Sequence, residues 1–383
     1  MKQANVAVVG GGIVGLANAL AAARRGHSVV LFERDRQAVG ASVRNFGMVW
    51  PIGQPPGPLH RTAMRSRAIW LEVAAAAGFW VNPCGSLHLL QKPDELAVAQ
   101  EFVQLTRDQG YDCAILDPAE TRRRSPVVRA ERILGALWSS TELCVDPRQV
   151  IARLPHFLHE QYGVSLRFGA LVTEIDHGLL RTSAGETWEI ERALVCSGAD
   201  FQTLFPEVFV DSGIRKCKLH MMRTAAQPDG LRLGPHLATG LTLGHYTSFQ
   251  ICPSLPALKA RFAREMPEYL GYGIHVMASQ NQLGEVVIGD SHEYEDPISP
   301  FDDTEIDRLI LAYLEQYIEL PAPQIATRWQ GVYAKHPTRP IFIAEAGEQV
   351  QVMVAPGGAG MTMSFGIADE FWANQAVGRP QAV

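Results

Sequence analysis

The period of the apolar positions changes several times along this chain, and the changes divide it. Val6-Ala7-Val8-Val9 is a short unbroken apolar run, as a parallel strand buried on both faces requires. Residues 17–25 are alanine-rich and helical in pattern, Gly26 stands where a cap belongs, and residues 28–32 return to the strand pattern. Residues 34–58 lose periodicity and are dense in Gly and Pro. Helical spacing reappears over 60–77, 93–109 and 147–162, with strand-like stretches at 85–91, 165–168 and 171–176 and a hairpin over 179–190. Residues 193–196 repeat the apolar strand and run into Ser197-Gly198. From 215 to 328 alternation dominates, predicting strands at 215–224, 241–251, 273–279 and 286–289, with helices near 255–265 and 304–318. A last strand over 350–354 precedes a glycine-rich turn and a helix to about residue 376.

Gly10, Gly12 and Gly15 fall between the first strand and the first helix in G-x-G-x-x-G register. The first glycine permits the tight turn, the second lets backbone approach a pyrophosphate, and the third brings helix against sheet. The free N–H groups at the helix start, with Ile13 and Val14 in its first turn, face the phosphates. Glu33 ends the second strand, where a carboxylate accepts hydrogen bonds from ribose hydroxyls and repels a 2′-phosphate, so FAD or NAD is favoured over NADP. The pattern predicts an α/β protein. A Rossmann-like dinucleotide domain (1–80, 135–214 and 325–383) carries an inserted, mostly antiparallel α+β substrate domain (81–134 and 215–324).

A chain of 383 residues exceeds the usual size of one core, which fits two intertwined domains. The net charge of −6 argues against nucleic acid or an anionic membrane as partner. The six cysteines are scattered singly, without metal-ligand or disulfide spacing, and read as reduced thiols. The first strand begins close to Met1, leaving no room for a signal peptide, and no apolar stretch is long enough to span a bilayer, so a cytoplasmic location is expected. Asp290, Glu293, Glu295 and Asp296 cluster around His292 without ligand spacing, and no metal is expected.

The segment Gly40-Ala41-Ser42-Val43-Arg44-Asn45-Phe46-Gly47 resembles the stretch that runs along the flavin in the D-amino-acid-oxidase-like flavoproteins, the family of glycine oxidase and monomeric sarcosine oxidase. The resemblance implies FAD, bound non-covalently by default. It implies flavin contacts from Ala41, Ser42, Arg44, Asn45, Phe46, Gly47 and Met48, with Arg34 beside the ribose acid and Val172, Ser197 and Gly198 on the returning strands. Ala355-Pro356-Gly357-Gly358-Ala359-Gly360-Met361-Thr362 resembles the same family's last helix start, which implies that Gly357, Gly358, Gly360, Met361 and Thr362 face the pyrimidine edge, where charge gathers on reduction.

One departure from the amino-acid oxidases is informative. Where glycine oxidase has Trp-x-Gly-x-Arg, whose arginine grips a carboxylate as a bidentate fork, this chain reads Trp329-Gln330-Gly331-Val332-Tyr333. Lys335, His336 and Arg339 follow, a cationic locus better matched to a tetrahedral dianion. Together with residues 41–58, this stretch is similar to a subgroup of the family associated with phosphonate metabolism. That similarity implies an aminoalkylphosphonate substrate, 2-aminoethylphosphonate or its N-methyl derivative, oxidised with oxygen as electron acceptor. Lys335, His336, Tyr333 and Arg44 are the candidate catalytic residues, and Trp50, His245, Tyr246 and Arg339 join them as candidates for substrate binding. His245 and Tyr246, on an expected strand, read equally well as sheet residues. Lys216, Lys218 and His220 share one strand face, read as solvated. Two alternatives stand beside this reading: an oxidase or dehydrogenase of glycine, sarcosine or another N-methyl amino acid, and a flavin-binding or electron-transfer protein without a substrate. Sequence leaves the oligomeric state open.

Overall fold

The computed structural model describes residues 2–294, 297–354 and 356–377. Its first sheet has eight strands with a parallel centre. Strand β1 (Lys2–Val9) lies between β2 (Val29–Glu33) and the long strand Thr187–Val195, parallel to both. Ser165–Phe168 adds outside β2, and Val350–Val354 runs parallel to the end of Thr187–Val195. The antiparallel pieces sit at the margins: the Val172–Asp176/Leu179–Thr182 hairpin, and Phe342–Gly347 against Val350–Val354.

Helix α1 (Ile13–Ala23) follows β1 directly and is buried along most of its length. Alanines at 17, 19, 21 and 22 keep it thin enough to sit between the sheet and the helices Pro147–Tyr162 and Gly360–Val377. Leu16 and Leu20 supply its apolar contact, about 1.5–3 kcal/mol each when fully buried. The one polar residue inside, Asn18, is satisfied: its amide donates to the Val14 carbonyl at 2.9 Å and its oxygen accepts from Trp372 Nε1 at 3.2 Å.

The second sheet also has eight strands, in the order Ile325–Lys335, Arg215–Ala226, Glu285–Gly289, Met277–Gln280, His236–Ala238, Ser86–Leu90, Gly135–Ser139 and Cys113–Leu116. All neighbours are antiparallel except His236–Ala238 beside Ser86–Leu90. Gly135–Ser139 and Ile325–Lys335, expected in the dinucleotide domain, pair within this second sheet. Two further expectations change. Residues 241–251 form a short helix, Leu241–His245, and a 3-10 turn, Thr247–Ile251, instead of a strand. The face of Arg215–Ala226 bearing Lys218 and His220 is buried, not solvated, because the segment before the helix Thr304–Leu314 folds over it. Lys218 donates to the Phe301 carbonyl.

His220 lies beneath that segment, with Nδ1 3.4 Å from Asp307 Oδ1 and Nε2 3.2 Å from Glu293 Oε1, the latter off the ideal hydrogen-bond line. Burial pulls the imidazole pKa down, but the carboxylates of Asp307 and Glu293 outweigh it and hold it at about 9. A folded pKa above the unfolded one stabilises the fold fully below about pH 6.5 and loses that contribution as pH rises through about 9. Urea midpoints measured from neutral to alkaline pH are expected to fall across this window, and to fall less in His220→Gln.

Among the described residues all six cysteines are free thiols, and no helix is long and apolar enough to cross a membrane.

Candidate active site

One cavity of about 640 Å³ runs between the two sheets. At its nucleotide end, Gly10 (φ +112°) makes the turn out of β1, and a Cβ there would sit 2.3 Å from the Cys196 carbonyl oxygen. Only glycine fits. Glu33 Oε2 accepts from the Gly11 N–H at 2.8 Å, and Oε1 from the Asp35 N–H at 3.0 Å. The N-cap residue of α1 is Gly12, which has no side chain to cap with, and Gly12, Ile13 and Val14 line the cavity there. Ser42 Oγ, arriving from the loop after β2, accepts from the Ile13 N–H at 2.9 Å and so pins that loop over the helix start. Arg34 also lines this end and pairs with Asp200 at 2.6 Å. A helix start with glycine at its N-cap, a glycine turn and a carboxylate at the end of β2 together fit the pyrophosphate and ribose of FAD.

The cavity continues past the second glycine turn. Gly360 approaches Ile13, and a Cβ on Gly358 would lie 3.4 Å from the Tyr333 hydroxyl, so the Gly357–Ala359 turn bridges the start of α1 and the second sheet. Thr362 Oγ1 accepts from the Trp50 N–H at 2.9 Å, fixing the Gly360–Val377 helix against the loop after β2. Ala41, Asn45, Phe46, Met48, Val172, Ser197, Gly198 and Met361 also line the cavity. Gly15 and Gly47 do not. Gly15 lets α1 close on β1, since a Cβ would be 1.9 Å from the Gly10 carbonyl, and Gly47 packs on the Val145 carbonyl.

At the far end the walls are Trp50, His245, Tyr246, His275, Asp290, His292, Tyr333 and Lys335. His275 and Asp290 exchange backbone hydrogen bonds at 3.3 and 3.1 Å, extending the pairing of Met277–Gln280 with Glu285–Gly289. Their side chains face each other with His275 Nε2 3.2 Å from Asp290 Oδ1, out of line for a good hydrogen bond. His292 Nδ1 lies 3.0 Å from the Gly273 carbonyl. His245, from the end of its helix, stacks on His275 with ring centres 3.7 Å apart and lies 4.6 Å from His292. The three imidazoles bring one nitrogen each to within 4.8 Å of one another. Burial holds the His292 pKa down to about 3 and those of His245 and His275 well below the usual value; the Lys335 charge adds to all three, and His292 to the other two. Burial pushes the Asp290 carboxyl well up. Four polar atoms of these walls are buried without a partner of good geometry: Trp50 Nε1, His275 Nδ1, Asp290 Oδ1 and the Tyr333 hydroxyl. Orphaned groups of this kind are expensive unless a ligand meets them.

The sequence-derived cations separate. Lys335 ends its strand with Tyr333 two residues before it, and both reach the cavity. His336 does not line it: Nε2 is 2.8 Å from the Ser212 carbonyl, and Nδ1 accepts from the Arg339 N–H at 2.8 Å, so the ring braces the turn after the strand. Arg339 is exposed on that turn. Arg44 stands at the rim, donating to the Gln330 carbonyl at 3.3 Å. The expectation of no metal site omitted the clustering of His245, His275 and His292. A hairpin signal carried part of it, since pairing 277–280 with 285–289 places residue 275 beside 290–292. Glu295 and Asp296 lie outside the described residues.

The sequence profile of a family described as FAD dependent oxidoreductase (DAO) matches residues 5–372. Human mitochondrial sarcosine dehydrogenase is 26% identical over 150 residues, 38% of this chain and 16% of that protein. Glycine oxidase of Geobacillus kaustophilus is 25% identical over 206 residues, 51% of this chain and 54% of that protein. The chain thus spans well under two thirds of these curated relatives. Among solved structures, L-proline dehydrogenase from P. horikoshii superposes with a TM-score of 0.79 at 19% identity, covering 99% of this chain and 95% of the other. Glycine oxidase from Geobacillus kaustophilus gives 0.76 at 19% identity, covering 100% and 96%. These likenesses establish the fold.

Proposed function

The chain belongs to the DAO family of FAD-dependent oxidoreductases, and from that premise we propose that it oxidises the C–N bond of an aminoalkylphosphonate. The substrate would be 2-aminoethylphosphonate or its N-methyl form. The products would be phosphonoacetaldehyde, ammonia or methylamine, and, with oxygen as acceptor, hydrogen peroxide. Bound FAD supplies the two-electron acceptor for the carbon that bears the amine.

The observation that carries the reading is the make-up of the far wall. A carboxylate-binding site presents a planar arginine fork. Here Tyr333 occupies that place in the sequence pattern, and Lys335 brings a single ammonium amid three imidazoles, with Arg44 at the rim. Cationic and ionisable groups converging from several directions suit three tetrahedral oxygens better than two coplanar ones. Residues of this chain would do the rest. Gly10, Gly12 and Glu33 hold the nucleotide, the Gly357–Ala359 turn approaches the ring edge, and Trp50 and Tyr246, ring centres 6.1 Å apart, shape an apolar wall that excludes water from the reacting carbon.

The second reading, an oxidase or dehydrogenase of glycine or sarcosine, draws on what the matched relatives are called. Anaerobic addition of each candidate amine to the FAD-loaded protein separates the two. Bleaching of the flavin band by either aminoethylphosphonate at lower concentration than by glycine or sarcosine is expected. The reverse order would sink the phosphonate reading. Oxygen uptake during turnover then tests the acceptor.

A further inference from the structure

We propose that His245, His275 and His292 form the seat of the substrate's acid group, and that a doubly charged phosphonate brings one solvent proton into this trio as it binds. The inference rests on the phosphonate reading and adds to it the residues of the seat and their proton.

The placement of the ring nitrogens favours the proton. His292 Nδ1 faces the Gly273 carbonyl at 3.0 Å, so it carries the hydrogen, and in the neutral ring Nε2 is a bare lone pair. His275 Nδ1 is buried without a partner, and it is a bare lone pair in the tautomer whose hydrogen sits on Nε2, 3.2 Å from Asp290 Oδ1. A lone pair repels a phosphonate oxygen. A proton added from solvent to either nitrogen converts it into a charged donor, and no bond within the substrate changes.

The charge balance points the same way. The ionisable groups around the trio are Lys335, Asp290, Tyr246 and Tyr333, with Lys259 acting on His245 and with Cys217 and Tyr294 near Tyr333. Burial keeps Asp290, both tyrosines and the three imidazoles neutral, so among the described residues that line this wall Lys335 alone carries charge, with Lys259 acting on His245 from outside the lining. A dianion beside one ammonium leaves a net negative charge in a site of low dielectric, and one proton cancels it. Transfer from Asp290 to His275 would move charge within the site without altering the sum. A monoanion such as a carboxylate balances Lys335 unaided and brings no proton.

A divalent metal is the competing occupant of three clustered histidines. Imidazoles bound to one tetrahedral ion, with nitrogens about 2.0–2.1 Å from it, radiate outward and hold their ring centres about 5 Å apart. His275 and His292 meet that spacing at 5.0 Å, but His245 and His275 stack at 3.7 Å, and the Lys335 ammonium repels a dication.

Calorimetric titration of the FAD-loaded enzyme with ethylphosphonate, which has no amine to oxidise, tests this. The titrations are run at mildly alkaline pH in two buffers of different ionisation heat, with propionate as the monoanion control. Uptake of close to one proton with ethylphosphonate and close to none with propionate is expected. His292→Asn keeps a donor to the Gly273 carbonyl and should weaken ethylphosphonate binding by about tenfold or more, the loss of one charge-assisted contact. Adding His275→Asn should abolish the uptake, with flavin content and circular dichroism reporting the fold. Ethylphosphonate binding without uptake overturns the seat and leaves the phosphonate reading standing, as does full uptake in the folded double variant. Stoichiometric Co²⁺ binding with a d–d band that vanishes in His292→Asn also overturns it, in favour of a metal. Propionate binding where ethylphosphonate does not overturns both.

Discussion

Glu33→Arg protein is expected to leave purification with little FAD. The carboxylate lies at the end of β2, with Oε2 on the Gly11 N–H and Oε1 on the Asp35 N–H, and a Cβ added at Gly11 would crowd the Glu33 side chain at 3.0 Å. The substitution removes the acceptor proposed for the ribose hydroxyls. It also takes the acceptor from the buried Gly11 N–H and from the Asp35 N–H, and sets a cation beside the positive end of the α1 dipole. One charge-assisted hydrogen bond is worth roughly 1.5–3 kcal/mol, or about tenfold to a hundredfold in affinity, before repulsion at the helix start is added. Flavin fluorescence on dilution gives the dissociation constant. Glu33→Gln, which keeps the shape and one acceptor oxygen, should fall between the two. Full occupancy of Glu33→Arg in dilute solution would remove Glu33 from the nucleotide site.

That corner was legible in the sequence because its logic is local. Strand, turn, helix and second strand follow one another within 33 residues, and Gly10 and Gly15 have steric reasons that a single Cβ reveals. The returning strands were legible for a related reason: a continuous apolar run such as Val350–Val354 belongs in a parallel sheet, and the structure puts it beside Thr187–Val195. The substrate wall depends instead on long-range pairing. His245, His275 and His292 come from a helix end, a strand approach and a strand exit, and no window of sequence holds all three. Residues 241–251 misled because Leu241, Leu243 and Phe249 fit strand alternation while Leu243, Tyr246 and Phe249 fit a three-residue helical spacing over so short a run. Lys218 and His220 misled because alternation gives a face but not what covers it, and the cover arrives from residues 299–307. His336 was grouped with Lys335 by adjacency alone. The strand ends at Lys335, and the Pro337 turn carries the next ring away to the Ser212 carbonyl.

Lys335→Ala should discriminate between substrates more sharply than any other single change at the far wall. Lys335 is half-buried at the strand end, its ammonium 5.6 Å from the centre of the Tyr294 ring, and its charge is felt by His245, His275, His292 and Asp290. His336 and Arg339 do not line the cavity, and Arg44 stays at the rim, so no other described cation there can take over the contact. A substrate that carries an acid group loses a charge-assisted contact worth roughly 1.5–3 kcal/mol, which should appear as a rise in KM of about tenfold to a hundredfold. An amine of similar length without an acid group never made that contact, so its KM should change little. Removing the lysine also frees the three imidazoles from a neighbouring positive charge. They should then take up protons more readily, and the loss should be smaller at acidic than at alkaline pH. Equal changes for the two kinds of amine would mean that Lys335 supports the wall without touching the acid group, and the cationic reading of this site would fall with it.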